Sequence, residues 1–395
     1  MRTARSPSRR RPSAQRTLLA PAVLATALLA TAVVGVIAGR PVPARPDANQ
    51  AAIDAKAVVT GQAAGAQAKP AGWRVVAAIG PPNEAVTGTV RAGSAAGAWS
   101  VWTGTAFTAV ERLVGNRWSR VPLPAALTGY ARSAVAFGGD SATDFWLFSS
   151  RSATRALHFA DGRWTLRPIP SWVLPRQSGR DGLRVSAAVL GPDDVWVFGL
   201  HAAAYAAHYN GRTWDKVRLP AAPDEVSAVG PDDIWALHGN VAWHWNGSGW
   251  AGDKIPGAGA SRPGSFADLT ATGPGSAWVW RTVRAPGRPA EVGQLRWNGA
   301  SWQRAGPGSP ADIVDSVAPD GSGGLWATGA DENPGGFNLF YHLARGRWKE
   351  VSPPAGLWDQ QPESLAWIPG THSVWGTATG RTSKGSYGVI IKYGP

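Results

Sequence analysis

One tryptophan returns along this chain at a near-constant interval. Trp99, Trp146, Trp196, Trp235, Trp278, Trp326 and Trp375 are spaced 39 to 50 residues apart. A second series, Trp118, Trp164, Trp214, Trp250, Trp302 and Trp348, follows in step. Self-similarity at that period means a supersecondary unit whose apolar faces are buried only when copies stack. The plainest copy is Val226–Pro256, VSAVGPDDIWALHGNVAWHWNGSGWAGDKIP. Val226–Val229 is a short apolar run closed by Gly230-Pro231-Asp232-Asp233. Pro presets the φ of a turn, and Asp side chains bond to turn backbone. Ile234–Leu237 has the β-branched, aromatic and aliphatic content of a strand. His238-Gly239-Asn240 turns the chain into Val241–Trp245, and Asn246-Gly247 is a hairpin signal. Trp250 opens a further strand that Pro256 stops. The unit therefore predicts four short antiparallel strands.

The count of copies predicts how they close. After Trp375 the chain supplies a third strand, Tyr387–Tyr393, and no fourth-strand Trp. The missing residue is Trp73, in Gly72-Trp73-Arg74-Val75-Val76, ahead of the first copy. An N-terminal strand that completes the last blade closes a ring of seven four-stranded blades. That is an all-β fold, a seven-bladed β-propeller, which leaves only short, protected edges. The blades are expected near Glu84–Pro122, Ala131–Pro168, Arg184–Leu219, Glu225–Pro256, Ser265–Gly306, Ile313–Pro353 and Glu363–Pro395. Gly and Pro, 49 and 32 residues, would suggest disorder without a repeat; here they are its turns. There is no Cys, which excludes disulfides and a thiol nucleophile.

Charge separates the N-terminus from the repeats. Residues 1–70 hold ten of the 39 Lys and Arg and two of the 26 acids, leaving +5 of the net +13 to residues 71–395. The basicity is therefore not a nucleic-acid footprint, which requires basic residues clustered on one face. Met1–Arg16 holds six Arg and no acid, and Thr17–Gly39 is an uncharged apolar run of 23 residues. This predicts, over residues 1–39, either a signal peptide or an N-terminal signal anchor. The positive-inside rule then places the repeats outside the cytoplasm. Residues 40–70, rich in Ala, Pro and Gly, read as a flexible tether to the propeller at 71–395. An extracytoplasmic monomer is expected, anchored by its N-terminus or secreted after cleavage, with no other membrane contact.

Pro192-Asp193-Asp194-Val195-Trp196 and Pro231-Asp232-Asp233-Ile234-Trp235 stand in step, and Tyr209-Asn210-Gly211-Arg212-Thr213-Trp214 follows the first. These patterns resemble the repeats of secreted bacterial β-propellers of the Kelch, galactose-oxidase-like and Asp-box (BNR) groups. The resemblance covers residues 71–395 and implies the propeller fold. Asp-box propellers include sialidases and other glycan-acting enzymes. Here Asn210 directly precedes Gly211 and the box lacks the Asp two residues before its Gly. The arginine triad, Tyr–Glu pair and acid Asp of that activity have no assigned positions.

One basic or imidazole group recurs before each third-strand turn: Arg112, His158, His208, His244, Arg296, His342 and Lys392. Copies one repeat apart lie far from one another, so a structural bond to a neighbouring blade or a solvated strand end is expected, not a ligand ring. The remaining His201, His238 and His372 lack metal-ligand spacing, and neither metal nor cofactor is expected. The repeated Trp residues are expected to pack between blades. No nucleophile elbow, zincin motif or phosphate-binding loop occurs.

Binding residues concentrate on variable loops held by a rigid scaffold. Those loops join second to third strands and blade to blade. The candidates are Trp172, Arg176, Arg180 and Asp181 in the insertion Ile169–Leu183, then Arg281, Arg284 and Arg288, then Asp331 and Glu332, and finally Trp358 and Asp359. The expected role is a non-catalytic binding or scaffold module for a protein or cell-wall glycan. The alternative is a glycan-active hydrolase or lyase on the same scaffold.

Overall fold

The computed structural model describes residues 72–395 except 82–83, 85, 96, 175–183, 257–265, 284–290, 306–312, 331–338, 355–356, 358–361 and 383–384. The signal or anchor at 1–39 and the tether at 40–70 lie outside the described residues. No helix among the described residues is long and apolar enough to cross a membrane.

Seven separate four-stranded antiparallel sheets follow one another along the chain. In blade 4 the strands are Glu225–Gly230, Asp233–His238, Val241–Trp245 and Trp250–Lys254. Asn246 does not sit inside a two-residue turn. It opens a four-residue loop, where its Oδ1 accepts from the N–H groups of Ser248 (3.1 Å) and Gly249 (3.0 Å). Asn210 and Asn298 do the same in blades 3 and 5.

The last blade is built from both ends of the chain. Pro362–Trp367, Val374–Thr382 and Gly385–Tyr393 are its inner three strands, and Trp73–Ile79 is its outer one. The closing register sets Trp73 against Tyr393, Arg74 against Lys392 and Val75 against Ile391. Trp73 thereby fills the place predicted for it.

Inner strands of successive blades pack on one another around the ring. Their inward edges carry N–H groups that need acceptors. Serines of the preceding blade supply several: Ser227 Oγ accepts from Ala271 N–H (3.0 Å), Ser316 Oγ from Leu365 N–H (3.0 Å) and Ser364 Oγ from Val90 N–H (3.4 Å). Second strands are the most buried; all five residues of Phe145–Ser149 are shut off from solvent.

Four second-strand Trp residues meet the Trp on the outer strand of the next blade, while Trp99 meets Phe145 and Phe159 and Trp196 meets Trp245 of the next blade. Trp146 meets Trp214 edge-on at 6.0 Å between centroids, Trp235 meets Trp302 at 5.7 Å, Trp326 meets Trp73 at 5.2 Å and Trp375 meets Trp118 at 5.3 Å. Such pairs contribute about 0.5–1.5 kcal/mol each beyond their burial. The last two pairs show that the closing boundary reuses the packing of the others.

One element was not expected. Ala125–Arg132 is a short helix between blades 1 and 2, with Ala131 buried and Leu127 and Tyr130 against the same core. Eight residues are too few to display helical periodicity, and packing rather than propensity sustains such a helix.

Candidate ligand-binding site

Strand register explains the recurring basic position. It sets Trp99 opposite Arg112, Trp146 opposite His158, Trp196 opposite His208 and Trp235 opposite His244. The series continues with Trp278 opposite Arg296, Trp326 opposite His342 and Trp375 opposite Lys392. All four imidazoles stack on their Trp, with centroids 4.1 to 4.3 Å apart.

Each of those imidazoles also meets a carboxylate from the first turn of its own blade. His158 Nε2 lies 2.8 Å from Asp144, His208 2.9 Å from Asp194, His244 2.8 Å from Asp233 and His342 2.9 Å from Asp320. A carboxylate only accepts, so Nε2 carries the proton. In blades 3 and 4 the same Asp oxygen accepts from the indole N–H, of Trp196 at 3.0 Å and of Trp235 at 2.9 Å. Burial pushes the Asp320 carboxyl up, but bonds from His342 and from the Ser322 and Gly324 N–H groups outweigh it and hold the pKa at about 2. The expectation of a bond to a neighbouring blade therefore needs correction for the histidines. The strand end they occupy abuts the first turn of the same sheet. Arg112 alone among the described bonds of this series crosses to the next blade, donating to the Ala142 carbonyl (2.9 Å).

Blade 7 departs from that arrangement. Two residues before the blade Trp, blades 2, 3 and 4 have Asp144, Asp194 and Asp233; blade 7 has Ser373, as blade 5 has Ser276, and blades 1 and 6 have Gly97 and Gly324. The cation opposite Trp375 is Lys392, and the closing strand sets Arg74 directly against it. Like charges in that position repel. Arg74 donates to the main-chain oxygen of Gly394 and Lys392 to that of Pro395. Among the described residues, neither cation is ion-paired with an Asp or Glu side chain. Burial lowers the pKa of Arg74. It lowers that of Lys392 too, and the Arg74 charge adds to the effect.

A groove of about 450 Å³ opens in front of the two cations, between blades 7 and 1. Asn116, Thr371 and Ser373 give it amide and hydroxyl groups, and Val76, Leu113 and Ile368 give it apolar walls. Beside it, the Trp375 indole N–H has no hydrogen-bond partner. The lining comes from the short first and third turns of the blades, so the groove lies on the face opposite the variable loops.

The boundary holds a second unusual group. Glu363 sits on the inner strand of blade 7, at a bulge between Pro362 and Ser364. A bulge re-aims a side chain. Glu363 accepts from the Gly88 N–H of blade 1 (2.5 Å) and from the Thr379 hydroxyl (3.0 Å). Burial outweighs both bonds and raises its pKa to about 7.

The residues proposed from sequence fall elsewhere. Trp172 is half-buried, packed against Ile169, Val173 and Leu174 in the core between blades 2 and 3, with Lys216 Nζ 5.2 Å above its ring. Arg281 belongs to the second strand of blade 5, in register with Gly293 and Phe266. Arg176, Arg180, Asp181, Arg284, Arg288, Asp331, Glu332, Trp358 and Asp359 lie outside the described residues. On the loop face, His201 and His238 both approach Asp224, at 3.0 and 3.6 Å. Among the described residues, no three His, Cys, Asp or Glu side chains are arranged to hold a metal ion. Arg74, Ser373 and Glu363 were not singled out from sequence. The available signal was the Ser at the Asp position of the last repeat.

No family model matches the chain, and no curated protein matches it. Solved structures do. The β-propeller domain of Myceliophteria thermophila Cps50 (Swd1) aligns at a TM-score of 0.51 and 10% identity, over 80% of this chain and 99% of that one. A glucose dehydrogenase aligns at a TM-score of 0.38 and 10% identity, over 67% and 96% of the two chains. A subtype N11 neuraminidase-like protein of A/flat-faced bat/Peru/033/2010 (H18N11) aligns at a TM-score of 0.37 and 12% identity, over 82% and 94% of the two chains. At such identity the first likeness establishes the fold alone. The chain is an all-β, seven-bladed propeller closed by its N-terminal strand.

Proposed function

We propose that this propeller is an exported, envelope-associated binding module for a protein or cell-wall glycan, without catalytic activity. The observation that carries the reading is the groove between blades 7 and 1. It is preformed, its volume suits a small ligand group, and it presents two cations with amide and hydroxyl donors. No Asp or Glu lines it. Glycoside hydrolysis ordinarily requires two carboxyl groups flanking the scissile bond, so binding fits this groove better than the hydrolase or lyase alternative. The basic and apolar segments of residues 1–39 support export, and the turn patterns support a place beside secreted bacterial propellers of the Kelch and Asp-box kind.

The test is co-sedimentation of the purified chain with isolated cell-wall glycan and with envelope protein fractions, alongside an assay for released sugar fragments. Retention on one fraction with no product supports the reading. Time-dependent release of soluble fragments would replace it with the enzyme, and failure to sediment with any envelope fraction would sink it.

A further inference from the structure

The propeller contains its own precedent for what sits beside a blade Trp and its cross-strand partner. In blades 3 and 4 a single carboxylate oxygen accepts from both the indole and the imidazole of that pair. Blades 2 and 6 also set a carboxylate on the imidazole, Asp144 on His158 and Asp320 on His342. In blade 7 the Trp and the cation remain, as Trp375 and Lys392, while Ser373 stands where the Asp should be. A second cation, Arg74, is added from the closing strand, and the space opens into the groove. Blades 1 and 5 also carry a long cation opposite their Trp, and blade 5 also has a Ser, Ser276, two residues before it; what sets blade 7 apart is the second cation in register and the groove in front of the pair.

We propose that the groove between blades 7 and 1 is a carboxylate-binding site that takes an acidic sugar unit of an envelope glycan. This rests on the binding-module reading and names its ligand. The carboxylate of the ligand takes the role of the absent Asp and bridges Lys392 Nζ and the Arg74 guanidinium. It relieves the repulsion between two cations held opposite each other in register. The planar fork of Arg74 suits a carboxylate, and Lys392 adds a point charge. Sugar is favoured over peptide by the rest of the lining. Asn116, Thr371 and Ser373 can pair with ring hydroxyls, while Leu113 and Ile368 offer an apolar surface to a ring face.

The experiment is calorimetric titration of the full chain with trigalacturonate, with its fully methyl-esterified form, and with a short neutral peptide whose one carboxylate is its C-terminus. A few neutral residues are appended after Pro395, so that no main-chain carboxylate occupies the groove. Trigalacturonate binds, the ester binds at least about tenfold more weakly, and affinity falls with added salt. Lys392→Gln and Arg74→Gln each lower affinity roughly tenfold to a hundredfold, the loss of one charge-assisted hydrogen bond. Ser373→Asp restores the carboxylate of the other blades, closes the site from within and abolishes binding. Unchanged or raised melting temperatures of the three variants separate this from misfolding. Equal binding of acid and ester overturns the proposal, as does wild-type affinity in folded Ser373→Asp. Preference for the peptide removes the sugar assignment. If binding fails while the chain still co-sediments with cell-wall glycan, the groove assignment falls and the binding-module reading stands.

Discussion

Replacing Glu363 by Gln should stabilise the propeller at neutral and alkaline pH. The Glu363 residue is half-buried, but its carboxyl is largely shielded between blades 7 and 1, and that desolvation raises its pKa from 4.5 to about 7. The sign follows from which state holds the proton more tightly. Below about pH 4.5 the carboxyl is protonated both folded and unfolded, and it adds no penalty. From there to pH 7 the unfolded chain loses the proton and the folded chain keeps it, so stability falls as pH rises. Above pH 7 the penalty is constant. At about 1.4 kcal/mol per pH unit the displacement costs on the order of 3 kcal/mol. Gln keeps both described bonds, because its Oε1 accepts from Gly88 N–H and its amide donates to the Thr379 hydroxyl oxygen. The assay is urea unfolding of wild type and Glu363→Gln from pH 4.5 to 8.5, read as the difference between the two. Every other titrating group cancels in that difference. The variant should gain about 3 kcal/mol on the wild type across the range, or about 4 °C in melting temperature for a domain of this size. A difference flat to within about 0.5 kcal/mol would refute the reasoning, because Glu363 would then ionise as it does in water.

Three further outcomes follow from the same contacts. Asp320→Asn should cost about 2–3 kcal/mol at pH 7, since it weakens charge-assisted bonds from His342, Ser322 and Gly324. Its carboxyl is depressed from 3.8 to about 2, so the wild-type advantage is present above pH 4 and lost as pH falls toward 2, which acid titration of both proteins reads. Gly388→Ala should destabilise by at least about 1–3 kcal/mol, because a Cβ there would stand 2.4 Å from the fully buried Trp102 ring; calorimetry checks it. Deleting residues 71–80 removes the Trp73–Trp326 contact and uncovers the Gly385–Tyr393 edge, so it should cost more than the roughly 3–5 kcal/mol lost with one buried Trp. Deleting residues 40–70 should leave the melting temperature within about 2 °C, and equal losses from the two truncations would defeat the closure argument.

The ring was legible because its packing is written one residue at a time. A Trp that repeats at a near-constant interval and packs on the next blade can be read without knowledge of the rest of the chain. Trp73 could be assigned to the last blade by counting alone, and the Trp326–Trp73 contact bears that out. The partner of each histidine was not legible in the same way. It depends on register across three strands and on which turn ends beside which strand, and Asp144 lies 14 residues from His158 while Asp320 lies 22 from His342. The groove was further out of reach. Arg74 and Lys392 come from opposite ends of the chain, and only the closing register brings them together. Loop variability pointed to the other face, where most of the candidate residues fall outside the described parts of the chain.

The closing boundary is also where the repeat is free to depart from itself. Elsewhere, consecutive blades repeat the same solution: a Trp against the next outer strand, and in blades 2, 3, 4 and 6 an Asp beneath the cation. At the boundary of blades 7 and 1 the packing half of that solution is kept, as Trp375 on Trp118. The electrostatic half is abandoned. Arg74 and Lys392 face each other with main-chain oxygens and no Asp or Glu side chain for partners, and on the inner strand of blade 7 the half-buried Glu363 is met by two neutral donors. Local rules broken together at one place mark function more often than accident. The two cations carry the proposed ligand site, and the raised pKa of Glu363 makes the same boundary lose stability as pH rises from 4.5 to about 7.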